Sequence, residues 1–280
     1  MPGPDKVRMH FLGLNIVQIL WTLTFAALLV LLVVLLGRDR ARRFPWFTAS
    51  MVLTAVRLLA SRMLYDRIPQ ITMSKIFLTL AVVEALVTLL VAVEIARRAF
   101  AGASRRAWMI GTLALLAVGA LVLVEWGPWP AWKTLTAEST LAVLRLTQLV
   151  AQKTSLLSNV LTIGLGLLVV LFGSRFKAGW RSHTQQIVIG LSTAAIAQLA
   201  VRGIWQLIAL HAAPQTQAEF ERVMGIQEKL YNANSAIFLA VLVWWIACLW
   251  INEPGTEIPA TAGVVASPEV GDETLADGEK

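Results

Sequence analysis

LGLNIVQILWTLTFAALLVLLVVLL, residues 12–36, runs for 25 positions without an Asp, Glu, Lys or Arg. Only Asn15, Gln18, Thr22 and Thr24 interrupt its apolar character. An amphipathic helix of a water-soluble domain keeps a polar face over such a length, and this stretch has none broad enough for water. A bilayer core of ~30 Å needs about 20 apolar helical residues, so the stretch reads as a membrane-crossing helix. Lys6 and Arg8 precede it, as positive charges precede a signal-peptide core. Such cores hold only about 7–15 apolar residues, and no small-x-small cleavage site follows, so the helix is expected to be retained.

Six further runs of the same kind follow, at 46–64, 76–96, 107–125, 149–172, 187–210 and 230–251. The expected fold is therefore all-α: a polytopic bundle of seven transmembrane helices occupying residues 1–251. Hydrophobic side chains make up 57% of the 280 residues and charged ones only 15%, which excludes an ordinary soluble domain. The segment WGPWPAW, 126–132, cannot continue a helix through its two prolines and reads as a loop. Residues 136–148 then read as an amphipathic extension of the fifth helix. Residues 252–280 are rich in Pro, Gly, Thr, Ala and acids without periodicity and are expected to form a disordered tail.

Charge is unevenly placed. Residues 1–251 hold 23 Lys and Arg against 10 Asp and Glu, and residues 252–280 hold one Lys against seven acids. So basic a body could suggest nucleic acid, but most of its positive residues stand in short loops beside apolar runs, where they set orientation instead. Arg38, Arg40, Arg42 and Arg43 fill the first loop, Arg97, Arg98, Arg105 and Arg106 the third, and Arg175, Lys177 and Arg181 the fifth. Lys6, Arg8, Arg67, Lys75, Lys133, Arg222 and Lys229 are spread thinly over the other side. The positive-inside rule then puts the amino terminus outside and the carboxyl terminus in the cytoplasm. Trp46, Trp108, Trp180 and Trp250 mark the inner interface, and Trp126, Trp129 and Trp132 the outer one. The basic loops also offer a surface to a cytoplasmic protein partner.

Polar residues inside the runs fall on stripes. Arg145, Gln148, Gln152, Ser155, Asn159, Thr162 and Gly166 follow one another at helical spacing in the fifth run. The second run repeats the device with Ser50, Thr54, Arg57 and Ser61, the sixth with Gln198, Arg202 and Gln206, and the first with Asn15, Gln18 and Thr22. The third contributes Glu84 and Thr88, while the fourth has nothing comparable and is expected at the periphery. Counting rise per residue from the inner boundary places Arg57 at ~16 Å, Glu84 at ~18 Å and Arg202 at ~22 Å. Each mid-membrane charge costs ~2.5–3.5 kcal/mol, so Arg57 and Glu84, level with each other, are expected to pair.

Two readings of the stripes compete. In one, the polar groups are interhelical glue and the long basic side chains snorkel to the outer interface. In the other, Asn15, Gln18, Arg57, Glu84, Arg145, Gln148, Gln152, Asn159, Gln198, Arg202 and Gln206 converge on an outward-opening, positively charged pocket for an anionic small molecule or a lipid headgroup. No catalytic residue, metal ligand set or cofactor site is legible. The single cysteine, Cys248, is inside an apolar run, and His10, His183 and His211 are scattered.

RRFPWFTASMVLTAVR, 42–57, and SRFKAGWRSH, 174–183, resemble stretches of a family of uncharacterised acidobacterial seven-helix integral membrane proteins. The resemblance covers nearly the whole chain short of the tail and implies a bacterial inner membrane, with no chemistry attached. Retinal proteins are a poor fit, because the last run, 230–251, holds no lysine for a Schiff base. The leading expectation is a receptor-like or sensory protein; a small-solute transporter and a non-catalytic scaffold are the alternatives.

Overall fold

The computed structural model describes residues 16–64, 67–100, 104–126, 129, 140–172, 182–212 and 216–251. Expectations that rest on Lys6, Arg8, Asn15, Trp132, Lys133, the 173–181 loop or the 252–280 tail lie outside the described residues. Among the described residues the chain forms eight helices and no strand: α1 (Ile16–Gly37), α2 (Arg40–Arg43), α3 (Pro45–Leu64), α4 (Gln70–Ala99), α5 (Arg105–Glu125), α6 (Thr140–Phe172), α7 (His183–His211) and α8 (Gln217–Trp250). Six of them, α1, α3, α4, α6, α7 and α8, are long and apolar enough to cross a membrane, and α5 carries a shorter apolar stretch, Met109–Glu125. The protein is a multi-pass helical membrane protein.

Local signals explain the ends. Pro45 opens α3, where its missing N–H costs nothing and its fixed φ suits the first turn. Ser182 caps α7 by accepting from the Gln185 N–H. A full capping box, Thr216 with Glu219, starts α8. Consequently α4 begins six residues before the expected 76 and α8 thirteen before the expected 230. Hydropathy marks only the part of a helix that lipid surrounds, and the 34 residues of α8 span ~51 Å, well beyond a ~30 Å hydrocarbon core. The extension expected before the fifth run is continuous with it from Thr140. The first basic loop contains one turn of helix, α2, after Asp39 in the left-handed region at φ 56°.

Helix pairing is antiparallel wherever side-chain contacts fix it between sequential neighbours. Trp46 and Phe47 meet Glu94 while Arg57 meets Glu84, so α3 and α4 run in opposite directions. In α5 and α6, Gly119 lies against Leu157 and Leu161, and Leu115 against Gly164. Lys153 meets the carbonyls of Leu123 and Trp126 farther along. Helix α5 thus leads from the end of the molecule that carries Arg38–Arg43 and Arg97–Arg98, the basic end, to the far end. Packing closes α1, α3, α4, α6, α7 and α8 into a ring in that order, with α5 outside it against α6. The peripheral place of the fourth run is as its lack of a polar stripe implies.

The core occupies the basic half of the ring. Leu28, Leu31 and Leu35 of α1, Phe47 of α3, Ile95 of α4, Ile187 of α7 and Leu242, Trp245 and Leu249 of α8 are fully buried there. Trp245 holds its centre: its ring stands edge-on to Phe47 at 5.0 Å, and its Nε1–H donates to the Gln186 carbonyl. Gly190 makes the approach of α8 possible, since a Cβ there would lie 2.3 Å from Trp245 Nε1. Toward the far end packing thins. Among the described residues no hydrophobic side chain is buried on α3 beyond Ala55, on α7 beyond Ala197, or on α8 before Val241.

Candidate functional site

Three groups of polar contacts follow from this frame, and they divide the stripes differently from the sequence reading. Much of the hydroxyl content serves its own helix: Thr22 donates to the Gln18 carbonyl, Thr54 to Ser50, Thr88 to Glu84 and Thr162 to Ser158. Back-bonding one turn away satisfies the donor without a neighbour, so such residues need not face one another.

The first group joins α3 to α4. Arg57 Nη1 donates to Glu84 Oε2 as an ion pair, and the side chains are 44% and 25% exposed. The pair lies on the loosely packed side of the core, where neither partner could remain charged alone without cost. At the basic end, Glu94 is buried and its Oε2 accepts from the Trp46 and Phe47 N–H groups at 3.1 and 3.3 Å. It therefore caps the start of α3 from a different helix, supplying the acceptor that the Phe44–Pro45 sequence lacks. Arg98 reaches Glu94 Oε1 at 3.5 Å and stacks its guanidinium over the Phe44 ring, 4.9 Å from the centroid. Glu94 escaped the sequence reading; a proline-initiated helix with no capping side chain before it was the signal that an acceptor had to come from elsewhere.

The second group is a zip between α6 and α7. From the core outward, a Cβ at Gly166 would meet Ser192 Oγ, and Ser192 donates to the Thr162 carbonyl at 3.1 Å. Asn159 Nδ2 donates to Gln198 Oε1 at 3.1 Å. Arg202 then donates to the Gln152 carbonyl at 3.4 Å and to Ser155 Oγ at 3.3 Å. The stripes of the fifth and sixth runs therefore do face each other, and their middle is interhelical glue, with Asn159 itself buried. Arg202 ends the zip. Its partners are neutral, and no carboxylate lies within ion-pair distance of it among the described residues.

The third group fixes α5. Lys153 donates to the Trp126 carbonyl at 2.6 Å and the Leu123 carbonyl at 3.1 Å, with its ammonium 4.4 Å from the Trp129 ring centroid. It thus answers carbonyls that the helix end leaves unpaired. Beside it a shallow cavity of about 310 Å³ is lined by Val122, Glu125, Trp126 and Gln206.

Other expected members separate from this arrangement. Gln18 and Thr22 are exposed on α1, so that stripe does not join the others. Arg145 and Gln148 are exposed as well. They stand 27 and 24 residues before Phe172, ~40 and ~36 Å along α6, more than one hydrocarbon thickness from its other end. Gln206 faces the cavity near α5, one turn beyond Arg202. The structure brings together Gln152, Asn159, Gln198 and Arg202 on one seam, and Arg57 with Glu84 on another. Among the described residues no group of His, Cys, Asp and Glu could hold a metal ion. Comparison of the chain with protein families, with characterised proteins and with solved structures gave no match.

Proposed function

We propose that this chain is a seven-pass protein of a bacterial inner membrane that binds an anionic small molecule or lipid headgroup in its outer half, in the manner of a receptor or sensor. The single observation that carries the reading is Arg202: a guanidinium deep along a membrane helix, tethered by two neutral acceptors, with no carboxylate within ion-pair distance among the described residues. A permanently charged group in that position is costly unless something compensates it, and a bound anion would do so. Arg57 is neutralised by Glu84, and Lys153 is committed to the Leu123 and Trp126 carbonyls at the end of α5 and to the face of the Trp129 ring.

Seven crossings are supported by the course of α5, which runs antiparallel to α6 between the two ends and, at 21 residues, measures ~31 Å. Orientation rests on the arginines of the basic end, which the positive-inside rule assigns to the cytoplasm. The dense core around Trp245 lies at that end, and on this reading the thinly packed half is the one that faces outward. A receptor needs that state throughout, whereas a transporter would have to unpack Trp245 and Phe47 to open inward.

The test is thermal unfolding of the purified chain in neutral detergent, titrated with small carboxylates, phosphate esters and anionic lipids. At least one class should raise the melting temperature of the wild type and not of Arg202→Gln. If every class acts equally on both, the anion site is wrong. Uptake of the stabilising compound into proteoliposomes would move the reading from receptor to transporter.

A further inference from the structure

Resting on the anion reading of Arg202, we infer that the cavity between the end of α5 and α7 is an adjoining subsite for a hydroxyl-bearing group, so that the ligand is a hydroxylated organic anion of the glycerol phosphate kind. The cavity, about 310 Å³, is lined by Val122, Glu125, Trp126 and Gln206. Three observations place it beside Arg202. The Trp126 ring approaches α7 at Gly203, the residue after Arg202, where a Cβ would lie 4.0 Å from Cη2 and Cζ2. The Trp126 carbonyl accepts from Lys153, and the carbonyl of the preceding residue, Gln152, accepts from Arg202. Gln206 follows Arg202 by four residues in α7, which puts the two Cβ atoms about 5–6 Å apart on one side of the helix.

The unused groups around the cavity define its occupant. Trp126 Nε1 is buried, and its N–H finds no acceptor among the described residues. A buried donor left unmade costs free energy, so the indole favours a ligand atom that accepts from it. Glu125, exposed at the end of α5, takes part in no ion pair among the described residues and offers two acceptor oxygens. Gln206 adds an amide that can donate and accept.

The occupant must therefore accept from the indole and donate to the carboxylate. A hydroxyl does both with a single oxygen, whereas an ammonium only donates and a phosphate or carboxylate only accepts. It also reproduces the bonds a water molecule would make in the same place, so that displacing the water loses none of them. The charge of Glu125 repels an anion from the cavity and thereby orients the ligand, with its anionic group at Arg202 and its hydroxyls toward Glu125 and Trp126. A free hydroxylated phosphate and the headgroup of phosphatidylglycerol share this chemistry.

The experiment melts the full chain in neutral detergent against glycerol 3-phosphate, propyl phosphate and phosphoethanolamine, and separately against phosphatidylglycerol and phosphatidylpropanol, whose headgroup lacks the hydroxyls. The rise of melting temperature with concentration gives each affinity, measured from the ligand-free value of the same variant, so a less stable variant does not imitate a lost site. Glycerol 3-phosphate should bind about tenfold more tightly than propyl phosphate if the ligand is free, and phosphatidylglycerol about tenfold more tightly than phosphatidylpropanol if it is a lipid. Trp126→Phe, which removes the N–H and keeps a ring, and Glu125→Gln should each cut that preference to about threefold or less and leave the hydroxyl-free anion bound as before. Arg202→Gln should weaken both members of a pair alike. Equal affinity within both pairs, or a preference that survives Trp126→Phe and Glu125→Gln, overturns the hydroxyl subsite and leaves the anion site at Arg202 standing. Tighter binding of phosphoethanolamine than of glycerol 3-phosphate overturns the hydroxyl in favour of an ammonium. No response to any of these compounds overturns the subsite and the anion site together.

Discussion

Arg57 and Glu84 illustrate how far depth arithmetic reaches. Counting residues from the membrane boundary put the two charges level, and lipid penalises either alone, so their ion pair was readable without coordinates. The register, with Glu94 of the same helix meeting Trp46 and Phe47, was not, because a buried carboxylate near a run's end looks like an ordinary interfacial charge. Removing one partner of a buried pair typically costs about 3–5 kcal/mol, and the partial exposure of both side chains should bring this to ~2 kcal/mol. Glu84→Gln should accordingly lower the melting temperature in detergent, and adding Arg57→Gln should recover part of the loss; a double variant no better than the single would show that the pair contributes nothing. Glu94 should behave differently, since its main partners are backbone N–H groups. Glu94→Ala removes the acceptor for both and should cost ~2 kcal/mol, whereas Glu94→Gln keeps one amide oxygen and should cost about half as much. Tryptophan fluorescence during heating reads both, because Trp46 sits at the cap. Equal losses for Ala and Gln would mean that the ion pair with Arg98, not the cap, is what Glu94 provides.

At the scale of helices, spacing predicted which residues share a face but not which neighbour that face meets. The stripe on α6 shows the distinction: Asn159, Thr162 and Gly166 all contact α7, while Arg145 and Gln148, on the same stripe, are exposed near the start of the helix. Periodicity is silent on depth once a helix outgrows the bilayer, and on back-bonding, through which Thr22, Thr54 and Thr88 satisfy themselves. The same limit hid Gly190, whose role depends on Trp245 being brought from 55 residues away in the sequence. Gly190→Ala places a methyl group 2.3 Å from Trp245 Nε1 and should destabilise by about 1–3 kcal/mol, the usual range for overpacking. Trp245→Phe removes the clashing half of the indole, so the double variant Gly190→Ala with Trp245→Phe should lose less than the two single losses added together. Strict additivity would place the two residues out of contact and refute the packing at the centre of the core.

For the molecule as a whole, the decisive quantity is the number of times the chain changes sides. Both α4 and α6 run from the far end to the basic end, and α5 lies between them in sequence. The chain must therefore return to the far end somewhere between residues 100 and 140, and the antiparallel contacts of α5 along α6 make that helix the return path. At 21 residues, ~31 Å, of which Met109–Glu125 are the apolar stretch, it is shorter than the 30 residues of α4 or the 33 of α6. Lys153, by gripping the Leu123 and Trp126 carbonyls, ties the far end of this short helix to α6. Sidedness can be read with single cysteines, because the native one, Cys248, can be replaced by Ala first. Asp39→Cys and Ser104→Cys lie at the basic end, Trp129→Cys and Glu221→Cys at the far end, and all four positions are exposed. A membrane-impermeant maleimide should label the first two only in inverted vesicles and the last two only in right-side-out cells. Labelling of Ser104→Cys and Trp129→Cys from the same side would reduce the crossings to six and leave α6 entering from the wrong face. Reversal of all four together would keep seven crossings but invert the protein, and the thinly packed half holding Arg202 would then open to the cytoplasm.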